Sequence, residues 1–166
     1  MDFSIKQKQI MNCCSHVKIP RGRGATTACI MGALQKISNK TAQKVLIITN
    51  PSVVKNIENK VQSYMKNDFG NITRFDLACE DGNITLSRSF SLGYSNATIT
   101  NNCTKSYVEI IGVYDDKQAL EILNWNKMYS YIYVDGVMFD DFGHETIPCM
   151  CTDGYCFVES INPAMK

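Results

Sequence analysis

The sequence has almost no net charge and no long apolar run. Lys and Arg number 17 against 16 Asp and Glu, which gives a net charge of +1 at pH 7. A chain this close to neutrality has no global field that attracts nucleic acid, so DNA contact would need a local patch. No apolar run reaches the roughly 18 residues of a transmembrane helix, and MDFSIKQKQIMNCC is not a signal peptide. We therefore expect an intracellular protein that is neither secreted nor membrane-spanning.

Histidine is scarce, which limits two kinds of chemistry. A Cys-His hydrolase pairs a nucleophile with a base, and nothing in the pattern singles out His16 or His144 as that base. His144, Cys149, Cys151 and Cys156 are zinc-type ligands, but their spacing is not a common zinc pattern. Without a signal peptide, the eight cysteines are expected to be free thiols. The sequence favours neither a Cys-His hydrolase nor a zinc centre.

The first part of the chain alternates strands and helices. HVKI at 16–19 predicts a strand, followed by a Gly- and Arg-rich loop and a helix from Thr26 to about Asn39. KVLIITN at 44–50 is typical of a strand buried on both faces, and Pro51 suits the first turn of the next helix. One face of that helix collects its apolar residues, which are Val53, Val54, Ile57, Val61, Tyr64 and Met65.

The second part adds shorter strands before two more buried ones. Short alternating runs at 70–114 predict antiparallel additions and one central strand, and 116–126 predicts a short helix. YSYIYVDG at 129–136 and YCFVESINP at 155–163 predict two further buried strands. We therefore expect one α/β domain over residues 1–166, a P-loop NTPase-like three-layer sandwich whose central sheet is mainly parallel with antiparallel additions.

The glycine-rich turn between the first strand and helix is the first candidate site. In a P-loop, glycines let backbone N–H groups surround phosphates, a lysine reaches the β and γ phosphates, and a Ser or Thr hydroxyl holds magnesium. Here Gly22, Gly24 and Thr26 are present, but Ala25 stands where the lysine belongs. Residues 20–26 are thus predicted to form a phosphate-sized turn at the carboxyl end of a strand. Any Gly-rich turn from a strand into a helix has a similar pattern.

Asp135 ends the strand YIYVD, where a magnesium-directing Walker B carboxylate would lie. A glutamate that orients the attacking water often follows, but here the next residue is Gly136. If both motifs are functional, Asp135 lies within about one magnesium-bridged distance of Thr26, on the order of 4 to 6 Å, as joint coordination through water requires. Alternatively, Asp135 is an ordinary turn former at the end of a strand.

The order of these motifs resembles that of the large-subunit terminases that package viral DNA in tailed phages and herpesviruses. PRGRGATT resembles their RGxGKT loop, YSYIYVDGVMFDDF their Walker B segment, and HETIPCMCTDGYCFVESINPA their coupling segment. The resemblance runs from about His16 to Ala164. It implies an ATPase with ATP and magnesium as cofactors. It also implies double-stranded DNA and other packaging or viral proteins as partners, in the host nucleus or cytoplasm. No nuclease domain is expected.

The resemblance also implies roles for particular residues. Thr26 and Asp135 are the expected magnesium ligands, and Asp135 is the expected catalytic residue. The nucleotide-binding residues that it implies are Arg21, Gly22, Arg23, Gly24, Thr26, Thr27, Ser160 and Asn162. Lys18, Arg21 or Arg23 are stand-ins for the missing lysine, whereas Asp140, Asp141 and Glu145 lie just downstream of Gly136.

Ala25 and Gly136 depart from the family pattern, so we expect weak hydrolysis or none. One alternative is a non-enzymatic interaction module that kept the NTPase fold. Another is a helicase-type ATPase fragment, in which strands ending in Asp and in Ser also occur.

Overall fold

The computed structural model describes residues 3–39, 41–57, 59–61, 84–91, 94–123, 127–136 and 147–161. The strands are β1 His16–Pro20, β2 Lys44–Thr49, β3 Ile84–Ser91, β4 Tyr94–Asn101, β5 Ser106–Gly112, β6 Tyr129–Asp135 and β7 Cys151–Ile161. The helices are α1 Ile5–Met11, α2 Ala25–Asn39, α3 Pro51–Lys55 and α4 Asp116–Leu123, and a 3₁₀ turn spans Ile147–Met150. None of the helices in these ranges is long and apolar enough to cross a membrane.

The strands form one seven-stranded sheet in the order β1-β7-β6-β2-β5-β4-β3. All neighbours from β1 to β5 in this order pair in parallel. β5 pairs antiparallel with β4, and β4 with β3. The predicted α/β fold, with a mainly parallel sheet and antiparallel additions, is confirmed. Because parallel strands end at the same edge, the carboxyl ends of β1, β7, β6, β2 and β5 meet along one rim.

Apolar residues cover both faces of the sheet. Residues of α1, α2 and α3 pack on one face, and residues of α4 and the 3₁₀ turn pack on the other. β2 illustrates how the sheet is buried on both faces. Val45 and Ile47 pack in the cluster on the face of α1, α2 and α3, whereas Leu46 and Ile48 pack in the cluster on the face of α4. Such a strand needs an unbroken apolar run, which is what KVLIIT supplies. The arrangement is the expected three-layer sandwich.

β1, α2, β2 and β6 lie within one residue of their predicted bounds, whereas β7 begins at Cys151, four residues before the predicted start, and α3 ends at Lys55. α2 begins at Ala25, one residue before the predicted start, and β2 ends at Thr49 because Asn50 caps α3 by accepting a hydrogen bond from the N–H of Ser52. The apolar face predicted after Pro51 is buried at Val53, Val54, Ile57 and Val61, while Tyr64 and Met65 lie outside the described residues.

The polar N-terminal segment, to which the sequence pattern assigned no element, forms α1. Ser4 and Gln7 make a reciprocal capping box, in which the Ser4 hydroxyl accepts from the Gln7 N–H and the Gln7 side chain accepts from the Ser4 N–H. Ile10 and Met11 at the end of the helix are buried against the core. α1 therefore belongs to the folded layer beside α2.

Candidate functional site

The loop between β1 and α2 has the backbone expected of a phosphate-binding turn. Gly22 and Gly24 adopt φ angles of +82° and +81°, which side chains with a Cβ rarely tolerate. The Arg21 N–H donates to the Ile161 carbonyl, which ties the loop to the end of β7. The 15-residue α2 starts immediately afterwards, and the first N–H groups of a helix favour an anion. The structure thus places residues 20–26 at the rim of the sheet, as predicted.

α1 braces this loop from outside. The Gln7 side-chain nitrogen donates to the Gly24 carbonyl at 3.2 Å, while its oxygen is held by the cap of α1. A Cβ at Gly24 would collide with the Gln7 side chain. The close approach of the Gln7 side chain and the positive φ together explain why residue 24 is glycine. The second half of the loop is therefore fixed by a helix that sequence analysis did not predict.

Asp135 lies at the end of β6 and links it to the end of β2 and the start of α2. Its Oδ2 accepts a hydrogen bond from the Thr26 hydroxyl at 2.7 Å and another from the Thr49 hydroxyl at 2.9 Å. The predicted proximity of Thr26 and Asp135 is correct. The two oxygens lie inside the predicted limit of about 4 to 6 Å, because the hydroxyl donates directly to the carboxylate.

The Asp135 carboxylate is nearly buried, with 7% of the residue exposed. Burial raises its pKa above the usual value, since a low-dielectric setting disfavours the charge. The hydrogen bonds from Thr26 and Thr49 and the positive charge of Lys60 oppose that rise. The two threonines therefore stabilise the ionised form that a cation ligand needs.

Thr49 was not identified from the sequence. It is the last residue of β2 and only 1% exposed. Ile48 pairs with Val134, so the next residue on each strand brings Thr49 beside Asp135. A hydroxyl at the carboxyl end of a buried strand was the available signal, but its partner depends on which strand lies next to β2.

A cavity of about 280 Å³ opens at this rim. Its lining residues are Arg21, Thr26, Thr49, Asn50, Val53, Val113, Tyr114, Asp115, Asp116, Asp135, Gly136 and Ser160. Four residues predicted for the site, Arg21, Thr26, Asp135 and Ser160, therefore face one space. A water molecule occupies about 30 Å³, so the cavity has room for a phosphate group and several waters.

The other predicted residues have different positions. Gly22, Arg23, Gly24 and Thr27 belong to the loop or the start of α2 but are not among the lining residues, and Asn162 lies outside the described residues. Asp140, Asp141 and Glu145 also lie outside them. Lys18 is an exposed residue in the middle of β1 and does not line the cavity. Of the three proposed stand-ins for the lysine, the cavity wall includes Arg21.

The two departures from the P-loop pattern have clear structural settings. Ala25 is partly buried and packs against the core under α2. Gly136 has a φ of +73°, and its N–H donates to the Val158 carbonyl at 3.0 Å. Among the described residues, nothing lies within 4 Å of a Cβ built at Gly136, and the positive φ would strain any side chain placed there.

The donors at the rim suit a hard cation. Thr26 offers a hydroxyl and Asp135 a carboxylate, and magnesium prefers such oxygen ligands. Among the described residues that line the cavity, Arg21 is the one cation, against Asp115, Asp116 and Asp135. A polyphosphate would therefore need a metal ion to offset the acidic wall.

The candidate zinc ligands do not converge. Cys156 is buried in the cluster under α1 and α2, whereas Cys151 packs against the cluster on the opposite face of the sheet. His144 lies outside the described residues, within which no group of three or more His, Cys, Asp or Glu residues is arranged to hold a metal. The cysteines of β7 act as small buried side chains.

No protein-family model matches the sequence, and no curated protein matches it either. Among solved structures, the chain is similar to the large terminase of a thermophilic bacteriophage, with a TM-score of 0.56 and 11% identity over 95% of this chain. A second crystal form of that terminase, in complex with ADP, gives a TM-score of 0.51 and 14% identity over 97% of this chain. In both cases the match spans 39% of the terminase chain. At such identity the likeness shows a shared fold.

Proposed function

We propose that this chain is a terminase-like nucleotide-binding domain associated with viral DNA packaging, which binds ATP with magnesium and hydrolyses it slowly or not at all. The observation that carries the proposal is the bond from Thr26, at the start of α2, to Asp135 across a cavity also lined by Arg21 and Ser160. The similar terminase structure that contains ADP supports nucleotide as the ligand of this fold.

Each side of the cavity has a part in this proposal. The start of α2 and Arg21 neutralise phosphate charge. Thr26 and Asp135 would hold magnesium, which would offset the charge of the phosphates. Ser160, near the end of β7, contacts the γ phosphate, whereas Asn162, which the resemblance assigns the same role, lies outside the described residues.

Hydrolysis is expected to be slow because two parts of the machinery are absent. Phosphoryl transfer depends on positioning and on charge stabilisation, and Ala25 and Gly136 supply neither the loop lysine nor the water-orienting acid. Removing one preorganised group of this kind typically costs roughly 100- to 1,000-fold in rate. Even with incomplete additivity, turnover falls several orders of magnitude below an ordinary enzyme.

The test combines nucleotide binding with phosphate release. Binding of a fluorescent ATP analogue with magnesium is measured on the wild-type chain, on Asp135→Ala, and on Asp153→Ala as a control that removes an exposed carboxylate elsewhere on β7. We expect binding by the wild type and the control, and loss of binding in Asp135→Ala. Equal binding by all three, or by none, contradicts the proposal.

Phosphate release then tests the expected weakness. An Ala25→Lys, Gly136→Glu double variant should turn over faster than the wild type. A wild-type rate of about one per second or more, abolished by Asp135→Ala, would show an ordinary active ATPase instead.

A non-enzymatic interaction module is the second candidate. Ala25 and Gly136 favour it, because both residues that a motor uses for chemistry are replaced. This candidate needs no nucleotide, so the binding measurement separates the two. In either case the proposed setting is the host nucleus or cytoplasm, with double-stranded DNA and other packaging or viral proteins as partners.

A further inference from the structure

The cavity lacks an acid on the wall where the fold usually supplies one. Asp135 is committed to Thr26 and Thr49 through Oδ2, and Gly136 places no side chain in the open space beside it. Among the described residues, a group that orients a water molecule in this cavity must therefore come from another wall. The described residues that line it leave one acidic wall, formed by the segment that follows β5.

Backbone pairing with β2 fixes the position of the segment after β5 relative to Asp135. The Val113 N–H donates to the Thr49 carbonyl at 2.8 Å, and Thr49 pairs with Gly112. The ends of β6, β2 and β5 are thus level, with β2 in the middle. Neighbouring strands lie about 4.8 Å apart, so the end of β5 is about 10 Å from that of β6. This span accommodates a terminal phosphate and one water between the two walls.

Two carboxylates follow β5, and they have different surroundings. Asp115 caps α4: its Oδ1 accepts from the Gln118 N–H at 2.9 Å, and its carbonyl accepts from the Ala119 N–H at 3.3 Å. It is exposed and has a structural role. Asp116 is half-buried in the cavity wall, one residue further along. Both residues line the cavity, and Asp116, the less exposed of the two, is the better placed to act on a water held there.

We infer that Asp116 is the carboxylate that activates water for the slow hydrolysis of ATP, in place of the acid missing at Gly136. The inference rests on the nucleotide site proposed above. The water oxygen forms a bond to the γ phosphorus, and the bond from that phosphorus to the β–γ bridging oxygen breaks. The bridging oxygen leaves with the electron pair on ADP. The Asp116 carboxylate accepts the proton of the attacking water and releases it to solvent.

The experiment compares two neighbouring acids. Single-turnover phosphate release from ATP with magnesium is measured for the wild type, Asp116→Asn, Asp115→Asn and the Asp135→Ala background. Asparagine caps helices as well as aspartate does, so Asp115→Asn removes the same charge without disturbing α4. Affinity for a non-hydrolysable ATP analogue is measured on every variant.

General-base catalysis typically contributes about 100- to 10,000-fold, so Asp116→Asn should lower turnover by at least ~100-fold. Its affinity should stay within about threefold of the wild type, and Asp115→Asn should keep its rate within a similar factor.

Several results would overturn the assignment. They are wild-type turnover no faster than Asp135→Ala, equal losses from Asp115→Asn and Asp116→Asn, or an Asp116→Asn variant that loses affinity along with rate. If the wild type binds nucleotide but any of these holds, the proposed function survives and the role of Asp116 does not. If the wild type binds no nucleotide, both fail.

Discussion

Replacing Thr49 by valine tests how strongly the buried carboxylate depends on its neighbours. Thr49 is 1% exposed, and its hydroxyl donates to Asp135 Oδ2 at 2.9 Å. Valine has nearly the same shape, so the change removes a hydrogen bond and leaves the packing in place. A bond to a charged group is worth about 1.5 to 3 kcal/mol, and we expect the free energy of unfolding to fall by that amount. For a chain of this size, the melting temperature should fall by roughly 3 to 12 °C.

The measurement is urea denaturation at neutral pH, without nucleotide or magnesium. Thr49→Ser keeps the donor and should lose less stability than Thr49→Val. In an Asp135→Asn background the bond joins neutral groups, which contribute about 0.5 to 1.5 kcal/mol, so the same valine change should cost less there. A loss below about 0.5 kcal/mol in the wild-type background, or equal losses in both, would refute the reasoning that Thr49 stabilises the charge of Asp135.

Asp135→Asn should raise the melting temperature while abolishing magnesium-dependent ATP binding, since burial disfavours the charge of the carboxylate; a lower melting temperature would contradict this. Gly24→Ala should destabilise by more than Gly22→Ala in denaturant titrations, because both have positive φ but only Gly24 faces the Gln7 side chain; equal losses would show that α1 does not brace the loop. Burial raises the pKa of Tyr94 to about 12, so its neutral form contributes stability that is present below pH 10 and lost as the pH rises towards 12. Tyr94→Phe should flatten that alkaline dependence, and an unchanged slope between pH 10 and 12 would oppose the assignment.

Residues whose structure depends on local pattern were predictable from the sequence. The apolar run of β2 has the composition of a strand covered on both faces, and its Val and Ile residues alternate between the two clusters as expected. Gly22 and Gly24 mark a strand-to-helix turn through the backbone angles that they permit. α1 is too short for periodicity to identify, and the capping pair Ser4 and Gln7 was its one local signal.

The parts of the site that depend on strand order could not be predicted. Thr49 and Asp116 gain their proposed roles because β2 lies between β6 and β5. No local sequence pattern predicts which strands are neighbours in the sheet. The same holds for Gln7, whose contact with Gly24 joins residues 17 positions apart through the packing of α1. Spacing along the chain thus identified the loop and Asp135. The opposite wall of the cavity follows β5, and its position depends on the order of the strands in the sheet.

The pairing of β1 with β7 has a consequence for how the chain matures on the ribosome. β1 carries the phosphate loop, yet its neighbour in the sheet is the last strand described, and His16 contacts Glu159 across 143 positions. A ribosome adds about 5 to 20 residues per second, so β1 waits on the order of ten seconds for its partner to emerge. During that interval the loop has no strand to fix it. The proposed nucleotide site is therefore expected to be among the last parts of the protein to acquire its native form, and if the proposal holds, a nascent chain truncated before β7 should not retain nucleotide.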